Sequence, residues 1–133
     1  MRPVVLDTDI SSQILKKRLP NTLATKLINT QPVITFVTRA ELTKWTEVRN
    51  WGSRNRELLA QWMAGVPMIP GDEDVADTYG ISFRSRNMPR ATRPMNDMWI
   101  AVCCITHGLP LATLNIKDFN DFKVHHGLEL ITT

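Results

Sequence analysis

Pro3-Val4-Val5-Leu6-Asp7-Thr8-Asp9-Ile10-Ser11-Ser12 is the stretch on which the reading of this chain turns. A short apolar run is cut off by Asp-x-Asp and then by hydroxyl residues. Such a run predicts a buried strand of a parallel sheet, here Pro3–Leu6. Ligands of open α/β sheets bind just beyond the carboxyl ends of the strands, so Asp7 and Asp9 stand at a working position. Asp7 is the harder to explain as ordinary, because a carboxylate ending a buried strand must find a partner. Asp9 is read first as the cap of a following helix, about Asp9 to Lys17.

Outward from there, strands and helices alternate. Pro20-Asn21 breaks the first helix, and Asn21 is placed to cap a short second one carrying Leu23, Leu27 and Ile28. Val33–Val37 is β-branched and predicts a second strand. Thr38-Arg39-Ala40-Glu41 has a capping-box pattern at the head of a helix with Leu42, Trp45, Val48 and Trp51. Gly52 ends that helix, and Ser53 is placed to cap another with Leu58, Leu59, Trp62 and Met63. Further strands are expected at Val66–Ile69, Leu109–Thr113 and Leu128–Ile131, and an apolar helix over Met98–Ile105. Arg84–Pro94 reads as a loop, and Asn115–Phe122 as a loop with a short helix. The expectation is one domain over residues 1–133, a three-layer α/β/α fold with a mainly parallel five-stranded sheet.

The chain has 133 residues, 43% hydrophobic, with a formal net charge of +3. That length can bury a core without disulfide staples. Cys103 and Cys104 are adjacent, which suits neither a disulfide framework nor a spaced metal motif and points to a reducing cytoplasm. A strand beginning at residue 3 leaves no room for a signal peptide, and the longest apolar run, Trp99 to Ile105, is far short of a membrane span. His107, His125 and His126 make no convincing site, and no Gly-rich phosphate loop or nucleophile elbow is present.

The acids share an address. Asp7 follows strand one, Glu41 lies in the first helical turn after strand two, Asp97 opens the apolar helix and Asp118 follows strand four. In a parallel sheet these positions fall on one rim. Gathered carboxylates resist ionising, and a hard divalent cation such as Mg²⁺ or Mn²⁺ relieves that. Each acid also has an ordinary reading: Glu41 as half of the capping box, Asp97 as a helix cap beside Asn96, Asp118 as a loop or capping acid. The joint pattern carries the metal reading. Arg84, Arg86, Arg90 and Arg93 stand just before Asp97 and are placed either to grip the phosphates of a polyanion or to form a solvated basic face.

Val-Val-Leu-Asp-Thr-Asp, Val-Thr-Arg-Ala-Glu-Leu around Glu41, Asn-Asp-Met-Trp-Ile-Ala around Asp97 and Leu-Ala-Thr-Leu-Asn-Ile-Lys-Asp-Phe from Leu111 to Phe119 resemble the PIN-domain ribonucleases, in particular the VapC-type toxins of toxin–antitoxin pairs. The resemblance implies Mg²⁺- or Mn²⁺-dependent cleavage of structured RNA, tRNA or rRNA. It carries metal binding and catalysis onto Asp7, Glu41 and Asp97, with Asp118 or Asn115 in a variable fourth position. It leaves Thr8, Asp9, Ser12 and Thr113 as ordering or outer residues. It also implies a homodimer and a VapB-type antitoxin seated in a groove, for which Trp45, Trp51 and Trp62 of the helical hairpin are the candidate lining; a core role is the alternative for these rings. A rival resemblance, to haloacid-dehalogenase phosphatases, would make Asp7 a nucleophile, Asp9 an acid/base and Gly71-Asp72 with Asp77 a late acidic motif. It leaves Asn96-Asp97 and Asn115–Asp118 without a role. A non-catalytic α/β binding module is the third reading.

Overall fold

The computed structural model describes residues 1–82 and 95–133. In chain order the elements are β1 (Arg2–Leu6), α1 (Thr8–Leu15), α2 (Asn21–Lys26), β2 (Thr30–Thr35), α3 (Phe36–Val48), α4 (Ser53–Ala64), β3 (Met68–Ile69), α5 (Glu73–Ser82), α6 (Met95–His107), β4 (Leu111–Ala112), α7 (Ile116–His126) and β5 (Leu130–Ile131). The sheet runs β3-β2-β1-β4-β5 and every pairing is parallel. Val5 lies between Val33 on one side and Leu111 on the other.

β1 is buried on both faces, as a central parallel strand must be. Val5 joins a core with Ile100, Cys103, Phe119 and Phe122, whereas Val4 and Leu6 join Ile10, Leu23 and Ile34 on the other face. The two-residue period of a strand thus feeds two helical layers. Each such side chain contributes roughly 1.5–3 kcal/mol through burial. All strand ends fall on one rim. From β1 the chain proceeds to β2 and β3 on one side, and β4 and β5 lie on the other, so the order reverses between β1 and β4. Crevices open at such switch points, and Asp7 is the first residue past β1 there.

Several boundaries differ from the sequence expectation, and the capping groups explain them. Helix α1 starts at Thr8 because Asp7, not Asp9, is its N-cap, accepting from Ile10 N–H. β2 stops at Thr35, whose hydroxyl caps α3 by accepting from Thr38 N–H at 3.3 Å. Phe36 and Val37 are therefore helical despite their strand propensity, and the Thr38–Glu41 capping box does not form. Pro20 and Gly52 hold the N-cap positions of α2 and α4 without side-chain bonds, so Asn21 and Ser53 open those helices rather than cap them. β3 and β4 shrink to two residues each. In contrast, α7 extends to His126 and is closed by Gly127 at φ 68°, with Leu128 N–H bonding Phe122 C=O at 3.2 Å. The Arg84–Pro94 loop lies outside the described residues.

The α3–α4 turn is held by one side chain. Arg56 donates from Nε to Trp51 C=O at 2.7 Å, from Nη2 to Thr46 C=O at 2.8 Å and from Nη1 to Glu47 at 2.9 Å.

Candidate active site

Asp7 sits where β1 turns into α1 and is only 3% exposed. Its Oδ1 accepts from Ile10 N–H at 2.8 Å, and its own N–H reaches back to Ala112 C=O at 3.2 Å, tying β1 to β4. Burial pushes the carboxyl up to about 6 from the usual 3.8; the negative charges of Asp9 and Asp97 add to the rise, and hydrogen bonds from Thr113 and Ile10 oppose it. Desolvation and like charge thus both disfavour its ionised form.

Thr8, the next residue, points a hydroxyl at α3. Its Oγ1 donates to Glu41 Oε1 at 2.8 Å and lies 3.0 Å from Thr38 Oγ1. A hydroxyl has a single proton, already given to the carboxylate, so the Thr38 hydroxyl must donate to Thr8. The relay Thr38 to Thr8 to Glu41 fixes the glutamate from the buried side. Glu41 lies in the second turn of α3, which begins at Phe36.

A second arm comes from beyond β4. Thr113 is fully buried and accepts from Asn115 N–H at 2.9 Å, and Asn115 Nδ2 donates to Asp9 Oδ2 at 3.0 Å. Asp9 itself is exposed on the first turn of α1. Asp97 lies half-buried in the first turn of α6, within electrostatic reach of Asp7. Asp118 is half-buried in the first turn of α7. Ser12 is buried on α1, one turn beyond Thr8.

The described residues therefore bring Asp7, Asp9 and Asp97 into one field, attach Glu41 through Thr8 and attach Asn115 through Asp9. Sequence reading missed Thr38 and Ser11, whose hydroxyl donates to Asp7 C=O at 2.9 Å. The four-residue spacing from Asp7 to Ser11 was a signal for the second; nothing local signalled the first. The donors are all oxygen, and a buried carboxylate crowded by like charge suits a hard divalent cation. Among the described residues, no three or more His, Cys, Asp or Glu side chains are already gathered as a metal-binding group. The donor chemistry fits such an ion, which would draw the acids together.

The match to the PIN-domain family model runs from residue 4 to 124. The chain belongs to the PIN-domain family. As a PIN domain it is similar to Ribonuclease VapC1 of Rickettsia felis, at 37% identity over 65 residues, 49% of this chain and 46% of that protein. The matched stretch thus spans about half the length of that curated relative. The fold is similar to VapBC2 from Rickettsia felis, solved with a DNA fragment from its promoter, with TM-score 0.80, 22% identity and 98% of both chains covered. It is similar also to DNA-bound VapBC from Salmonella typhimurium, with TM-score 0.82, 20% identity and 99% and 98% covered. VapBC-5 of Mycobacterium tuberculosis, a member of a toxin–antitoxin family, gives TM-score 0.72, 24% identity and complete coverage at 100% of both chains. PIN membership assigns the opening Asp-x-Asp to this family rather than to the phosphatases. Asp72, which the phosphatase reading needed, accepts from Val75 N–H at 3.2 Å in the first turn of α5.

The other candidate surfaces divide. Arg84, Arg86, Arg90 and Arg93 lie outside the described residues. Trp62 packs against the α1–α2 core. Trp45 lies under the Arg49 guanidinium at 5.0 Å, and half-buried Trp51 lines a groove of about 360 Å³ with Leu15, Leu58 and Leu59, rimmed by Lys16 and Arg49. Among the described residues no helix is long and apolar enough to cross a membrane.

Proposed function

We propose that this PIN domain is a metal-dependent endoribonuclease and the toxin of a type II toxin–antitoxin pair. In this reading it works in the cytoplasm as a homodimer, cuts structured RNA such as tRNA or rRNA to block translation, and is neutralised by a VapB-type antitoxin. The observation that carries the activity is Asp7: a buried carboxylate at the sheet's switch point, pushed up to about 6 among other acids. The name of the Rickettsia ribonuclease and the toxin–antitoxin description of the Mycobacterium neighbour support the rest.

Asp7 and Asp97 would hold Mg²⁺ or Mn²⁺, and Asp118 or Asn115 would assist them. When bound, such an ion supplies Lewis acidity at a phosphoryl oxygen and makes water more acidic. Glu41 has one oxygen engaged by Thr8 and presents the other to the attacking water, orienting it for in-line attack. Asn115 and Thr113 keep Asp9 and Asp7 from swinging away. Lys16 and Arg49 beside Trp51 suit an amphipathic antitoxin segment with acidic side chains.

The test is cleavage of folded RNA with Mg²⁺ by wild type and by Asp7→Asn. Loss of about 10²–10⁴-fold in the variant, and abolition by excess EDTA, is the expected outcome. Equal cleavage by both proteins would sink the Asp7 metal mechanism, and no cleavage by wild type would leave a non-catalytic module.

A further inference from the structure

Glu41 also lines a pocket of about 230 Å³ formed between α3 and α6. Its walls are Phe36, Val37, Ala40 and Trp99; Lys44 and Asn96 stand with Glu41 at its polar margin. The volume is below the roughly 300–1,000 Å³ typical of sites for drug-sized ligands. One planar ring system fits that size better than a whole nucleotide does.

The aromatic walls are set before anything binds. Trp99 stacks on Tyr79 with ring centres 4.8 Å apart and a 25° interplanar angle. Phe36 meets Trp99 edge-on at 6.5 Å and 62°. Behind Phe36, Gly71 leaves no slack, since a Cβ there would stand 2.8 Å from Phe36 Cε1. Both rings pack against the α6 core. Rigid rings lose little freedom on binding, which is the condition for a stacking platform.

We propose that this pocket takes one unstacked nucleobase of single-stranded RNA, flanking the phosphodiester that is cut. The proposal rests on the ribonuclease reading and deepens it. Three observations select a nucleobase over an aliphatic side chain. The walls include two aromatic rings, and bases splayed from RNA loops stack on such rings. Asn96 offers both a donor and acceptors to a base edge. Lys44 supplies a positive charge to the neighbouring phosphate, on the same margin as the acid that faces the scissile bond. The pocket and the acidic rim share Glu41, so a base seated here places its own backbone at the cutting site.

Ala40 is exposed and lines the pocket, so Ala40→Leu fills it while leaving Phe36 and Trp99 untouched. Phe36→Leu keeps the apolar bulk and removes one π-face. The probe is a short labelled single-stranded RNA, together with matched copies that each lack one base. Binding is measured by fluorescence polarisation in EDTA, so no cleavage is needed. Wild type should lose about 10-fold in affinity when one particular base is deleted, and both variants should bind weakly and be indifferent to that deletion. No effect of any deletion on wild type, or an equal effect on the variants, overturns the proposal. So does an Ala40→Leu protein that binds RNA normally but loses self-association or antitoxin binding, since the pocket would then be a protein contact. A wild type that discriminates bases in EDTA yet never cuts RNA with Mg²⁺ would refute the nuclease reading alone.

Discussion

Asp7 and Arg56 are both charged groups tied into backbone, one at the switch point of the sheet and one at the α3–α4 turn. Arg56 spends its guanidinium on two carbonyls and a carboxylate, so its charge is matched and its donors are used. Asp7 accepts hydrogen bonds but is buried facing further negative charge from Asp9 and Asp97. One group closes a structural corner. The other is held in a place that disfavours its ionised state. A fold tolerates the second arrangement when something outside the chain is to bind there, and the difference separates a candidate site acid from a structural ion pair without reference to activity.

The sharpest way to break that contrast is to remove the charge at residue 7 and keep the cap. Asparagine caps helices about as well as aspartate. The folded carboxyl titrates at about 6 against 3.8 in its usual state, so the folded chain holds that proton more tightly. The linked stability is full below pH 3.8 and is lost as pH rises through 6. Asp7→Asn lacks this loss. It should match wild type near pH 4 in urea unfolding and exceed it at pH 8 by up to roughly 3 kcal/mol, at about 1.36 kcal/mol per pH unit. Saturating Mg²⁺ should recover part of the deficit in wild type only. A variant less stable than wild type at pH 8 would mean that Asp7 is structural after all.

Thr8→Val is the next step down. It keeps the shape, removes the donor to Glu41 and interrupts the relay from Thr38. Turnover of RNA should fall about 10–100-fold, the usual cost of losing a group that orients a ligand. Unchanged turnover would show that Glu41 needs no anchor. The smallest effect belongs to Arg56→Ala. Its partner Glu47 is exposed, so the ion pair itself adds little, and the Thr46 carbonyl keeps its bond from Trp51 N–H. A cost of about 1–2 kcal/mol in unfolding, with RNA cleavage intact, is expected.

The placement of Asp7, Asp97 and Asn115 was legible in the sequence because each follows a strand end or opens a helix, and a parallel sheet sends such positions to one rim. The bonds among them were not. Thr8 meets Thr38 and Glu41 only because β1 and β2 pair in one register and Thr35 starts α3 where it does. The local pattern there favoured a longer strand through Val37 and a cap at Thr38. The Thr35 cap outweighed that propensity, and the shift turned Glu41 from a capping residue into one held across the rim. Asp9 was misread for a similar reason: Asp7, two residues earlier, already had its carboxylate within reach of Ile10 N–H.

The reversal of strand order also has a consequence for synthesis. Asp7 and Glu41 leave the ribosome early, but the carbonyl that Asp7 N–H bonds belongs to Ala112, and Asp97 and Asn115 also come late. A growing chain can pair β1 with β2 and β2 with β3, yet it has no second wall for the cleft until β4 arrives. If this PIN domain cuts the RNA of the translation machinery, the order of its strands keeps the centre unassembled until most of the domain has been made.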